Sequence, residues 1–337
     1  MPPTPPQPPL LTPDLLARPG RYAARVIARE RLRRVRRAAP ADERPPGEDG
    51  LHDFRVALRR LRTWLRAFEP EIDDTVGRGT IKRLHRISRR TGDARDLEVQ
   101  RHWLAQPTVR LGPLASRAAG ALAERLAAEE ADAMKRALAI MAEELPRAGG
   151  KLDRQLRKYE VRVPLDAGRG DPSMAVTLGR LLRAGAVEVR STLEAVRSSD
   201  QALQAHQARL AVKRLRYLLE SLGTGFRGGP HAVNRLAALQ DALGMLHDRH
   251  LLLERVHHEA LEMPAPPPGR PTRRAYTSLH AAVHRSVVSE FGRAVRLCRG
   301  RGTAAALRTV ERIANALTGE PVPTPLADAS LTTTGTP

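Results

Sequence analysis

The chain writes one unusual helical segment twice. "HDFRVALRRLRTWLR" at 52–66 and "HQARLAVKRLRYLLE" at 206–220 superpose at a shift of 154 positions, placing His52 on His206, Arg55 on Arg209 and Arg59 on Lys213. Arg60, Leu61 and Arg62 fall on Arg214, Leu215 and Arg216. A second pair of blocks, "IKRLHRISRRTGDARDLEV" (81–99) and "VNRLAALQDALGMLHDRHL" (233–251), aligns at a shift of 152, with Leu84 on Leu236, Gly92 on Gly244 and Asp96 on Asp248. Repeated blocks in the same order at nearly the same spacing indicate an internal duplication. The fold must therefore accommodate one helical unit twice.

Ala, Leu, Arg and Glu dominate the chain and favour helices. Apolar residues recur at spacings of three and four, and no alternating β pattern stands out. Gly/Pro-rich stretches at 39–50, 162–173, 223–230 and 262–272 read as loops. The spacing predicts helices over 14–38, 50–69, 76–104 and 114–158, with a break near Pro146, and a second series over 174–197, 200–222, 230–260 and 272–318, with a break near Gly300–Gly302. The Pro-rich segment 1–13 and the tail 319–337 read as disordered. The expected architecture is all-α: two pseudo-symmetric four-helix bundles, over 14–160 and 174–318.

On the helix at 50–69, Leu51, Phe54, Leu58, Leu61, Leu65 and Phe68 form an apolar line. His52, Arg55, Arg59, Arg62 and Arg66 run beside it, one residue later, about 100° around the helix. The second copy repeats both lines: Ala205, Ala208, Val212, Leu215, Leu219 and Leu222 are apolar, and His206, Arg209, Lys213 and Arg216 are basic. Arg60 and Arg214 stand on a flanking line. Like charges at i,i+4 repel. A solvated basic face ordinarily interleaves Arg with Glu, and this face has almost no such partners. On the next helix Lys82, Arg86, Arg89, Asp93 and Asp96 share a face, so Lys82, Arg86 and Arg89 extend the basic lining. Asp96 and Asp248 read as salt-bridge partners of arginines, not as catalytic groups.

The formal net charge is +20 over 337 residues. Such a balance implies a polyanionic partner: nucleic acid, an anionic membrane or a phosphate polymer. Aromatic residues are only 3% of the chain, which argues against recognition of single strands by base stacking. The single cysteine, Cys298, excludes an internal disulfide and a Cys-rich metal site. No apolar run is long enough to span a membrane, and the N-terminus lacks the pattern of a secretory signal, so the expected location is the cytoplasm. His247, His250 and Glu254, or His250, Glu254 and His257, share a helix face that permits a metal. Without a cysteine or a second carboxylate, solvated histidines are the preferred reading, and no metal or cofactor is expected. Phosphate-loop, zinc-protease and nucleophile-elbow motifs are absent from the sequence, and no nucleophile or general base stands out. The expectation is a binding protein, not an enzyme.

These residues resemble the CHAD family, the conserved histidine α-helical domain. Its H-x-x-R-x-x-x-R/K-R-L-R element is present as "HDFRVALRRLR" and "HQARLAVKRLRY", and its L-G-x-x-x-D-like element as "TGDARD" and "LGMLHD". The resemblance covers about 14–318. It implies two four-helix bundles around a basic central channel that binds inorganic polyphosphate, with association to polyphosphate granules. Carried over by position, His52, Arg55, Arg59, Arg60 and Arg62 line the channel from one side, and His206, Arg209, Lys213, Arg214 and Arg216 from the other. Lys82 joins the first set, while Asn234 stands at its place in the second half. Two alternatives stay open: a non-specific nucleic-acid-binding protein, and a metal-dependent enzyme acting on polyphosphate or triphosphate.

Overall fold

The computed structural model describes residues 11–39, 48–106, 111–159, 171–262 and 271–319. Among these it is all-α, with no strand longer than one isolated bridge, between Pro19 and Ser173. The helices are α1 (Pro13–Ala17), α2 (Gly20–Ala38), α3 (Glu48–Ala67), α4 (Glu69–Ile72), α5 (Arg78–Ala105), α6 (Pro113–Arg157), α7 (Met174–Glu194), α8 (Ala202–Glu220), α9 (Gly229–Glu262), α10 (Arg273–Cys298) and α11 (Arg301–Thr318).

Three boundaries differ from the sequence expectation. The helix expected over 14–38 is split at Arg18 and Pro19, which are both extended. Proline disfavours the helical conformation in the residue before it, so the chain turns there. It also becomes the link between the two halves of the sequence. The Gly20 amide donates to the Pro172 carbonyl at 2.8 Å, and the Met174 amide donates to the Arg18 carbonyl at 2.8 Å, so α2 and α7 start side by side. The break expected at Pro146 does not occur, and α6 runs for 45 residues straight through it. An interior proline costs about 3 kcal/mol. The packing of α6 against α5, α10 and α2 offsets that cost. The break near Gly300 is present, between α10 and α11. Finally, the segment expected to be disordered up to residue 13 is ordered from Leu11. Leu11 is buried, its amide donates to the Ser221 carbonyl, and the Thr12 hydroxyl caps α1. Residues 1–10 and 320–337 lie outside the described residues.

Both apolar lines are buried along their whole length: Leu51 through Phe68 on α3, and Ala205 through Leu222 on α8. They join one core that also takes in α2, α7, α11 and the near ends of α5, α6 and α9. Trp64 is its largest fully buried side chain. It packs against Phe68 with ring centroids 4.1 Å apart, and its indole N–H donates to the Ala24 carbonyl at 3.0 Å. A second apolar cluster lies at the far ends of the long hairpins α5–α6 and α9–α10, around Trp103, Leu126, Leu252 and Tyr276. The four helices carrying the duplicated blocks are thereby fixed: α3 packs on α8 and α5, and α9 on α8 and α5.

Helices α7 and α11 meet at Gly179, where a Cβ would lie 2.8 Å from the Ala314 carbonyl oxygen and 2.7 Å from the Thr318 methyl. Gly179→Ala should therefore force the two helices apart and destabilise the protein by about 1–3 kcal/mol, as overpacking does. Chemical denaturation checks this. Unchanged stability would mean that the α7–α11 contact adjusts freely.

Candidate functional site

The lines beside the buried ones bring α3 and α8 together charge against charge. Arg55 and Arg59 lie on α3, and Arg209 and Lys213 on α8. All four are partly buried, and none has a hydrogen bond or an ion pair among the described residues. Burial, followed by the Arg59 charge, lowers Arg55 to about 10, and Asp96 only partly offsets this. Burial and Arg59 act on Arg209 in the same direction against the pull of Asp248. Lys213 is the most affected. Burial first, then Arg209, Arg59, Arg62 and Arg214, push its ammonium down to about 6. Burial and the neighbouring guanidiniums thus both disfavour the ammonium form.

Asp96 of α5 and Asp248 of α9 face this cluster. Neither forms the ion pair expected from the sequence. Burial raises both carboxyls, while Arg55 and Arg209 draw Asp96 down and Arg209 draws Asp248 down. The two carboxylates also oppose each other's ionisation. They temper the field of the cations without neutralising any one of them.

The flanking arginines behave differently, because partners distant in sequence reach them. Arg60 pairs with Glu220 at 3.0 Å, and Arg216 shares the same carboxylate at 2.8 Å. Both guanidiniums lie over the Tyr217 ring, at 5.6 and 4.7 Å from its centroid. Arg216 also donates to the Gln240 amide oxygen at 3.2 Å. Arg214 pairs with Glu188 at 2.5 Å, and Arg86 with Glu144 at 2.6 Å. Arg62 keeps its charge uncompensated, with neutral partners only: the Ser88 hydroxyl at 2.6 Å and the His85 ring. His52, Arg66, Lys82 and Arg89 are exposed and have no ion pair among the described residues. The expectation of a nearly unpaired face thus holds along the line from Arg55 to Lys213 and fails for Arg60, Arg86, Arg214 and Arg216.

Two participants were not singled out from the sequence. Glu220 ties α3 to α8; its place four residues after Arg216 was a visible signal, its contact with Arg60 was not. Arg31 of α2 is buried over the Trp64 ring, 5.0 Å from its centroid, with Nε unpartnered. Burial and then Arg60 bring it down to about 9. Nothing in its local sequence marks it.

Of the α9 histidines expected to be solvated, His257 is exposed, while His247 and His250 are partly buried. His247 is packed against His206 with ring centroids 4.5 Å apart, and burial with Arg209 brings it down to about 3. The His250 Nε2–H donates to the Ser199 carbonyl at 2.7 Å. No group of three His, Cys, Asp or Glu side chains among the described residues is placed to hold a metal ion. No helix among them is long and apolar enough to cross a membrane.

The crystal structure of the CHAD domain from the plant Ricinus communis is similar to this chain, with a TM-score of 0.61 and 22% identity over 87% of this chain and 93% of that one. PptA from Streptomyces chartreusis is similar with a TM-score of 0.58 and 18% identity, over 88% of this chain and 99% of that one. No curated protein matches the chain. The sequence model of the CHAD domain matches residues 21–257, which run from α2 into the last turns of α9 and include both copies of the basic motif. A match over most of the chain, carrying both motif copies, places this protein in the CHAD domain family.

Proposed function

We propose that the protein binds inorganic polyphosphate along the cations of α3 and α8, without catalysing a reaction on it. In this reading the two sequence halves are pseudo-symmetric bundles flanking a basic central channel, and the protein acts in the cytoplasm at polyphosphate granules. The observation that carries the reading is the unpaired group Arg55, Arg59, Arg209 and Lys213, four basic side chains on two facing helices whose apolar sides are locked in the core. A linear phosphate polymer supplies an anion at every unit, at a spacing that side chains on successive helical turns can follow. Guanidinium forks suit phosphate oxygens. Membership of the CHAD family supports the same ligand. Arg62, Arg66, Lys82 and Arg89 extend the contact set, and His52 and His206 stand at its ends. In the paired residues Arg60, Arg86, Arg214 and Arg216, a carboxylate would have to be displaced or shared.

The charge of +20 also suits nucleic acid. The two ligands separate in a direct experiment. Arg59→Glu with Lys213→Glu should abolish polyphosphate binding with helicity retained, whereas Arg136→Glu, at an exposed position of α6, should leave it nearly unchanged. Fluorescence anisotropy at fixed salt, with duplex DNA as competitor, measures both. Equal loss in the α6 variant, or displacement by DNA at the same phosphate concentration, would mean that net charge alone carries binding.

Binding should take up protons. Free Lys213 is mostly neutral above pH 6, and a bound phosphate favours its charged form. Between pH 6 and the raised value in the complex, the complex holds up to one more proton than the free protein. By linkage, affinity then falls by up to about tenfold per pH unit as pH rises through that window. Titration calorimetry in Tris and in HEPES at pH 7.5 reads the uptake directly. Observed enthalpies that differ between the two buffers by the same amount in wild type and in Lys213→Met would show that Lys213 does not meet phosphate.

The same lysine should make the unliganded fold less stable. Its folded value lies below its unfolded one, so the unfolded chain holds more protons between pH 6 and about 10. The penalty is complete below pH 6 and fades as pH rises through the window. Lys213→Met should raise the melting temperature by about 2–4 °C per kcal/mol relieved. The gain should be largest near pH 6 and shrink by pH 9. A variant that melts lower than wild type at pH 6 would contradict this.

A further inference from the structure

Beyond the phosphate line, a cleft opens at the N-terminal end of α8. Its walls come from α8, α9, α10 and the turn before α8, and its volume is about 510 Å³. That lies within the ~300–1,000 Å³ range of small-molecule pockets. Six of the chain's eleven histidines line it: His206, His247, His250, His257, His280 and His284. The rest of the lining is mainly apolar, with Leu203, Leu251, Leu253 and Val287. Leu203 is 64% exposed at its edge, an apolar side chain left in solvent.

The cleft shares His206 with the basic line. Arg209 and Lys213 follow it on the same helix, about 5 and 10 Å further along the axis. Burial disfavours the charged ring at three of the six histidines. His206, His247 and His280 are each held below the ordinary imidazole value by burial and by neighbouring positive groups. His250 donates through Nε2 to the Ser199 carbonyl, and its buried Nδ1 has no hydrogen-bond partner among the described residues. The charged groups of the lining are Asp200 and Glu254, both exposed carboxylates. A polyanion segment is poorly suited to such walls. A flat neutral ring is well suited to them, because imidazole faces and leucine side chains offer stacking and apolar contact.

We propose that this cleft takes the base of a nucleoside polyphosphate, whose phosphates then lie on His206, Arg209 and Lys213. The proposal rests on the polyphosphate reading of that line and extends it by one subsite. It assigns the histidines of α9 and α10, which the phosphate line does not use. Aromatic contact with a base contributes enough to change affinity by about tenfold or more.

The test compares ATP with inorganic tripolyphosphate, at pH 7.5 in EDTA, by titration calorimetry. The inorganic ion carries the greater charge, so charge alone favours it. ATP should nevertheless bind at least about tenfold more tightly. Leu203→Ser with His284→Ala, both at exposed positions, should reduce ATP to the affinity of tripolyphosphate and leave long-chain polyphosphate unchanged. Equal affinity for ATP and tripolyphosphate in wild type would overturn the proposal, and long-chain binding in the same assay would leave the polyphosphate reading standing. A variant that loses long-chain polyphosphate at pH 5.5, without any ATP preference at pH 7.5, would also overturn it. That result would make the cleft an acid-dependent extension of the phosphate line. Failure of long-chain polyphosphate to bind wild type at all would instead refute the underlying reading.

Discussion

Repulsion among the cations of α3 and α8 has to be held in check by something other than counter-ions, and the apolar lines one residue away do it. Each fully buried Leu or Phe side chain contributes about 1.5–3 kcal/mol, while each like-charge neighbour on a helix costs a few tenths of a kcal/mol. Leu51, Phe54, Leu58, Leu61, Leu65 and Phe68 on α3, with their counterparts on α8, therefore outweigh the line beside them several times over. The one-residue offset does the positioning. It turns the basic line about 100° from the core, to the edge of the helix interface, where Arg55, Arg59 and Arg62 are partly desolvated while His52 and Arg66 at its ends are exposed. The depression of Lys213 to about 6 follows from this placement.

Glu220 makes the arrangement tolerable at one end. It takes Arg60 from α3 and Arg216 from its own helix, over the Tyr217 ring. Three cations, counting the buried Arg31, share that single carboxylate field. At the other end Asp96 and Asp248 stand off without direct pairing, so Arg55, Arg59, Arg209 and Lys213 have no hydrogen bond or ion pair to the protein among the described residues. A protein selected for stability alone would place a carboxylate there. The cost is consistent with a site that is completed by its ligand.

Much of this was legible in the sequence. A three-and-four spacing places an apolar line and a charged line without ambiguity, so the helical class, the buried faces of α3 and α8 and the residues of the charged line followed from the repeat alone. Contacts between distant segments were not legible. Glu188, Glu144 and Glu220 neutralise Arg214, Arg86 and Arg60 across helix interfaces, at separations of 26, 58 and 160 residues. No local pattern announces such partners. Pro146 misled for a related reason: the rule that proline breaks helices is local, and α6 is held by tertiary packing on both sides of it. Pro19 obeyed the rule, because the extended pair it ends is itself fastened to the start of α7.

The two sequence halves part company beyond the basic motif, and this bears on why the histidines gather in one of them. At the shift of 152, His247 and His250 correspond to Arg95 and Glu98. In the first half those positions form an i,i+3 ion pair between Arg95 and Glu98, which closes the surface of α5 on itself. In the second half the same two positions hold imidazoles, one against His206 and one bonded to the Ser199 carbonyl. His52 and His206 occupy matching places in the repeat, yet His52 is exposed and His206 is half-buried against His247. An ion pair needs no further occupant. An imidazole wall beside an apolar edge does not satisfy itself in that way. The difference between the halves therefore localises the open cleft to the α8–α9–α10 side, next to His206, while His52 stands exposed at the matching place of the repeat.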